Sequence, residues 1–113
     1  IYIMKITKKE EYLIIENTNT NLVDFAEYIT ENYSEYRNDN VIVDLLNNTQ
    51  FELKDALLFL EISNIHRAEK KSFVIANAAI SIDVIPDELI VVPTLGEAED
   101  IIKMEELERE LGF

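Results

Sequence analysis

Few residues in this chain are of a type that does chemistry, and their spacing narrows the choice further. There is one histidine, His66, and no cysteine. That excludes thiolate zinc sites, cysteine nucleophiles, disulfides and any metal centre built from several histidines of one chain. A catalytic triad would have to gather a serine and an acid around His66 alone. His66 reads as a half-exposed helix residue, with a pH-sensitive partner contact as the sharper option. Asp44 closes the run Val41-Ile42-Val43-Asp44-Leu45 and precedes a polar loop. Ligands of open α/β sheets bind at that carboxyl edge, whereas the plainer role of such an Asp is to cap a turn or the next helix. A receiver domain is rejected, because acids are required after its first strand and a lysine after its last. This chain has Lys8-Lys9 and Pro93-Thr94 there. The carboxylates Glu97, Glu99, Asp100, Glu105, Glu106, Glu108 and Glu110 crowd the C-terminal stretch. A hard cation uses such oxygens, but EF-hand spacing is absent and a solvated helix face accounts for them. Lys103 and Arg109 offer local pairs there, each worth a few tenths of a kcal/mol. Two glycines leave no Gly-rich phosphate loop. The expectation is no catalytic residue, no metal and no cofactor.

The elements that must position these residues follow from periodicity. Tyr2 to Thr7 and Tyr12 to Glu16 read as strands joined by Lys8-Lys9-Glu10-Glu11 in a hairpin. Thr20 or Asn21 can cap a helix over Leu22 to Tyr36, whose apolar face is Leu22, Phe25, Ala26, Ile29 and Tyr33. Val41 to Leu45 lacks polar alternation and suits a central strand covered on both faces. Leu46 to Phe51 is a loop. Glu52 to Lys71 reads as one helix, apolar nearly all round at Ala56 to Leu60 and then striped by Ile62, Ile65 and Ala68. Ser72 to Ala76 and Leu89 to Val92 are further strands, with a short helix over Ile82 to Pro86 between them. Thr94-Leu95-Gly96-Glu97 has capping-box spacing before a last helix striped by Ala98, Ile101, Met104, Leu107 and Leu111. The order β-β-α-β-α-β-(α)-β-α implies a mostly parallel sheet with an antiparallel N-terminal hairpin. Val41, Val43, Leu58, Ile62, Phe73, Ile75, Val91 and Ile101 are expected in one core. Leu107, Leu111 and Phe113 either cover that core or contact another chain.

The 113 residues fit one domain, and 48% hydrophobic content supplies a core. Two glycines and two prolines argue against an all-β fold. The formal charge is -13, with 23 acidic and 10 basic side chains. Nucleic acid and anionic lipid are therefore not expected partners, while a basic protein surface is favoured. No apolar run approaches the roughly 18–20 residues of a membrane span. The start lacks a signal-peptide pattern, so cytoplasm is the default, and the sequons Asn32-Tyr33-Ser34 and Asn47-Asn48-Thr49 carry no weight. Met4 is a candidate native start, with Ile1 to Ile3 an upstream or vector remnant.

From Val41-Ile42-Val43-Asp44-Leu45 through Phe51 and the helix after it, the chain resembles the STAS family. This is the domain of sulphate transporters and anti-sigma-factor antagonists. Phe73 to Ala76 resembles the next family strand, and Leu89-Ile90-Val91-Val92-Pro93-Thr94-Leu95-Gly96-Glu97-Ala98 the closing strand with the start of the last helix. The order of elements agrees along nearly the whole chain. The resemblance implies a single STAS-like α/β domain over 1–113, with a mostly parallel four- to five-stranded sheet and about four helices. It implies a non-enzymatic regulatory module that binds a protein, such as an anti-sigma-type regulator, through the loop after the central strand. The matching residues are Asn47, Asn48, Thr49, Gln50, Phe51, Glu52, Lys54 and Asp55. The family's Asp-Ser-Ser-Gly phosphoswitch is missing, since Phe51 to Leu57 holds neither Ser nor Gly. Thr49 is the nearest hydroxyl and the candidate for a displaced phosphosite. The alternative reading is a STAS-like domain that binds a nucleotide or another small molecule. Small chains of this type resemble Bacteroidetes-type proteins sometimes labelled ribonuclease Z. That activity needs a His-rich two-metal centre, which one histidine does not provide.

Overall fold

The computed structural model describes residues 4–18 and 21–112. The Ile1 to Ile3 start, Tyr2 as the first strand residue, Thr20 as a cap and Phe113 lie outside them. Met4–Lys8 (β1) and Tyr12–Asn17 (β2) pair antiparallel. Asn40–Asp44 (β3), Phe73–Ala76 (β4) and Val91–Val92 (β5) extend the sheet in parallel, in the order β1-β2-β3-β4-β5. Leu22–Glu31 (α1) joins β2 to β3. Leu53–Ala56 (α2) and Leu60–Ala68 (α3), with a 3-10 turn between them, join β3 to β4. Leu95–Glu110 (α4) follows β5. The fold is therefore α/β with a mixed five-stranded sheet, as the order of elements predicts.

Neighbouring strands are consecutive in the chain, so each crossover advances the sheet by one strand. The crossovers share one face, where Phe25, Ile29, Phe59, Ile62 and Leu89 pack on Ile15, Val41, Val43 and Ile75. α4 covers the opposite face, where Ala98 and Ile102 meet Ile42, Val74 and Ala76. This explains the unbroken apolar runs of β3 and β4, which are buried on both sides. It also divides the expected single core into two layers. Ile101 is only partly buried and belongs to the α4 layer, and Ile102 takes the inward position.

Helix ends differ from the periodicity, for local reasons. α1 stops at Glu31, and Tyr33–Glu35 continues as a 3-10 turn. The Asn32 amide donates to the Tyr28 carbonyl at 2.9 Å and the Tyr36 hydroxyl to the Ile29 carbonyl at 2.7 Å. The Tyr28 carbonyl also takes the Asn32 backbone N–H at 3.0 Å, and the Tyr36 hydroxyl satisfies the Ile29 carbonyl, the acceptor another α-turn would use. The expected helix over Glu52 to Lys71 is broken at Leu57–Phe59 and ends at Ala68, with Lys70 at φ 65° reversing the chain. Its first half is not buried all round: Ala56 and Phe59 are, but Leu53 and Leu57 are exposed. The inner face of α3 is Ile62, Ser63 and His66, while Ile65 turns to solvent.

α4 departs most from its apolar pattern. Beyond Ile102 the inward side is polar. Ser72 donates its hydroxyl to Glu105 at 2.6 Å, and the Asn40 amide donates to Glu106 at 2.8 Å. Arg109 reaches Glu106 at 2.7 Å, Ser72 Oγ at 3.0 Å and Asn40 Oδ1 at 3.3 Å. Near the other end, the Tyr12 hydroxyl donates to Glu99 at 2.5 Å, and Lys103 pairs with the same carboxylate at 2.8 Å. Burial, followed by the Glu99 contact, pushes the Tyr12 hydroxyl up to about 12. Met104, Leu107 and Leu111 face solvent at 51%, 54% and 64% exposure. The account in which Leu107 and Leu111 cover the domain's own core is thereby overturned.

Candidate functional site

The carboxyl edge of β3 carries the residues singled out for binding. Asp44 ends the strand, and its carboxylate accepts the Leu46 amide at 3.0 Å. It therefore has the plainer role of turn cap. Leu45 is buried and its amide bonds to the Ala76 carbonyl at 2.9 Å, extending the ladder one residue past β3. The chain then leaves the sheet. Asn47, Thr49 and Gln50 are exposed and Asn48 is half-buried. Phe51 is 4% exposed and packs into the α1–α3 core. It anchors the loop from beneath, and its ring is not offered to a partner. Glu52 and Lys54 are exposed and lie 3.7 Å apart, a pair that water screens to little effect. Asp55 is half-buried and accepts the Glu52 amide at 2.9 Å, so its carboxylate starts α2 rather than projecting outward. The surface left by this segment consists of Asn47, Thr49, Gln50, Glu52 and Lys54.

Sequence reasoning missed what holds this loop still. Asn77, one residue beyond β4, is buried. Its amide donates to the carbonyls of Leu45 at 2.8 Å and Asn48 at 2.9 Å. Its side-chain oxygen accepts the amides of Ala79 at 2.8 Å and Ile80 at 3.2 Å. One side chain thus fastens two adjacent loops to each other. The available signal was an Asn directly after an unbroken apolar strand, where a short amide reaches neighbouring backbone. Asn47 adds a tie to β2, donating to Glu16 at 3.2 Å. With Glu16, Asp44, Glu52 and Asp55 close by in the fold, the edge carries more negative than positive charge.

His66 lies elsewhere, at the opposite end of the strands, and the half-exposed reading is corrected. It is 0% exposed, enclosed by Tyr33, Tyr36 and Phe73. Nε2 lies 2.6 Å from the Asp39 carbonyl and Nδ1 3.0 Å from the Tyr33 hydroxyl. A carbonyl only accepts, so Nε2 carries the proton, and Nδ1 of the neutral ring accepts from Tyr33. Burial lowers the imidazole pKa, and the Asp39 carbonyl opposes that only in part. His66 pins α3 to the turn before β3.

Among the described residues, no group of three His, Asp or Glu side chains is placed to hold a metal ion. Nor is any helix among them long and apolar enough to cross a membrane. No family model matches the chain, and a search of curated proteins finds no match to it.

Proposed function

We infer that the chain is a non-enzymatic protein-binding module, a relative of anti-sigma-factor antagonists whose phosphoswitch is absent. The docking edge runs from Asn47 to Lys54. One observation carries this reading: a polar, solvent-facing loop held rigid from behind by Asn77 and from below by Phe51. A preorganised loop loses little entropy when a partner orders its side chains. Thr49 is exposed and lies three residues before Glu52, so a kinase can reach it in this reading. Glu52 and Asp55 supply constant negative charge near the position of the family's phosphoserine, and Asp55 is already engaged with backbone. The charge at this edge suits a basic face on the partner, of which an anti-sigma-type regulator is one form. The nucleotide-binding alternative finds little support. The hollow at this edge, between Asn77, Ile80, Ile82, Val92 and Pro93, has a volume of about 110 Å³, below the roughly 300 Å³ where small-molecule sites begin.

Purification of the tagged chain from its native host tests this. A protein should co-purify in stoichiometric amount and be lost from a Thr49→Arg, Gln50→Arg variant that melts like the wild type. A retained small molecule without a protein would favour the alternative. Incubation with kinases of the host and ATP should leave Glu52 to Leu57 without phosphate by mass spectrometry. Phosphate on Thr49 would restore a switch at a displaced position.

A further inference from the structure

The C-terminal half of α4 is amphipathic in the inverted sense. Its polar side chains Glu105, Glu106 and Arg109 face the sheet, bonded to Asn40 and Ser72. Its large apolar side chains, Met104, Leu107 and Leu111, face outward at 51%, 54% and 64% exposure. Spacings of three and four place these three on one helical face. A rotation of the helix about its axis would bury them, but it would expose Ala98 and Ile102 and break the Asn40–Ser72–Arg109 network and the Tyr12–Glu99 bond. The fold thus uses half-buried polar bonds to hold an apolar stripe in water.

The charges around the stripe select what covers it. Asp100, Glu108 and Glu110 are exposed beside it. Of the nearby cations, Lys103 is paired with Glu99 at 2.8 Å, Arg109 with Glu106 at 2.7 Å and Arg67 with Glu105 at 4.0 Å, while Lys70 and Lys71 approach the Glu108 side. A second copy would bring an identical acidic rim and another -13 charges. An anionic lipid surface is repelled in the same way. We propose that this face of α4 docks an amphipathic helix of another protein, whose leucine-type residues cover Met104, Leu107 and Leu111 and whose flanking lysines or arginines meet the acidic rim. Helix-on-helix packing of this kind reads anchors at spacings of three and four and uses charge to fix the partner's identity and orientation. The surface lies on the opposite face of the sheet from α1 to α3, and the inference does not rest on the Asn47 to Lys54 edge.

The test uses the whole chain and a fluorescein-labelled helical peptide made of leucine on one face and lysine on the other, with a leucine–glutamate twin. Fluorescence anisotropy should show binding of the lysine peptide, weakening as salt is added, and no binding of the twin. Met104→Ser with Leu107→Ser should weaken binding at least about tenfold, with the melting temperature preserved because both residues are exposed. Glu108→Lys should weaken it too, and Ile82→Ser, a distant exposed apolar residue, should leave it unchanged. Equal affinity in the Met104, Leu107 double variant, or equal loss in Ile82→Ser, would overturn the proposal. So would sedimentation showing a dimer that the double variant abolishes, or flotation of the wild type with phosphatidylcholine vesicles.

Discussion

His66 is held neutral because its ring sits against three aromatic side chains and its Nε2 proton is committed to a backbone carbonyl. Its folded-state pKa is depressed, mainly by burial and further by Lys71, against the pull of Asp39 and Glu69. As pH falls, the unfolded chain takes up the proton first. The neutral ring's contribution is therefore complete above the ordinary imidazole value of about 6.5, shrinks as pH drops below it, and levels off beneath the folded value. Acidification also relieves repulsion among the carboxylates, so His66 is isolated by comparison with His66→Phe. Urea unfolding should show the wild type losing part of its advantage over that variant between pH 7.5 and pH 5.5. A difference independent of pH would mean that the ring is not buried neutral. Phe51 gives a second case at this scale, because a residue expected on the binding loop is buried and anchors that loop instead. Thr49 and Gln50 remain the residues to alter when binding is measured.

Among the elements, the broken connection between β3 and β4 is the clearest test of packing. Ala56 to Leu60 are apolar without a break, yet Phe59 is fully buried and Leu57 is exposed. Phe59→Ala should cost about 3–5 kcal/mol, and Leu57→Ala should stay within about 0.5 kcal/mol. Chemical denaturation of both variants checks the orientation of the 3-10 turn between α2 and α3. α4 makes the converse demand on polar groups. Arg109→Ala leaves Glu106, Asn40 and Ser72 without a shared donor and should cost about 1–3 kcal/mol. A double-mutant cycle with Glu106→Gln should show that the two losses are not additive. Glu106 is held below the usual carboxylate range by Asn40 and then Arg109. Its contribution is present at neutral pH and is lost as pH falls through that lowered value.

For the whole molecule, net charge and topology act at different ranges. With -13 charges on 113 residues, self-repulsion opposes the compact state, and screening relieves it. The Tm should therefore rise as NaCl goes from about 10 mM to about 150 mM, over which the Debye length falls from roughly 30 Å to 8 Å. A Tm that falls with salt would place the governing electrostatics in local ion pairs such as Arg109–Glu106. The class and order of elements are legible in local patterns of the chain. Unbroken apolar runs at Val41 to Val43 and Phe73 to Ala76 admit few solutions other than strands covered on both faces, and Thr94 with Glu97 marks the start of α4 through a local cap, at 3.1 Å. Both signals act over a few residues, which is the range a sequence pattern reports. Which side chains face inward depends on contacts between elements far apart in the chain. The period of Met104, Leu107 and Leu111 is the same whether the stripe covers the core or faces another chain. The rotation of α4 follows instead from Ala98 and Ile102 packing on the sheet and from Asn40 and Ser72, residues 69 and 37 positions away from the Arg109 they bind. The same holds for Asn77, whose partners Leu45 and Asn48 come from another strand end. Long-range polar bonds leave no periodic trace in the chain, so they become visible only once the sheet brings its strand ends together.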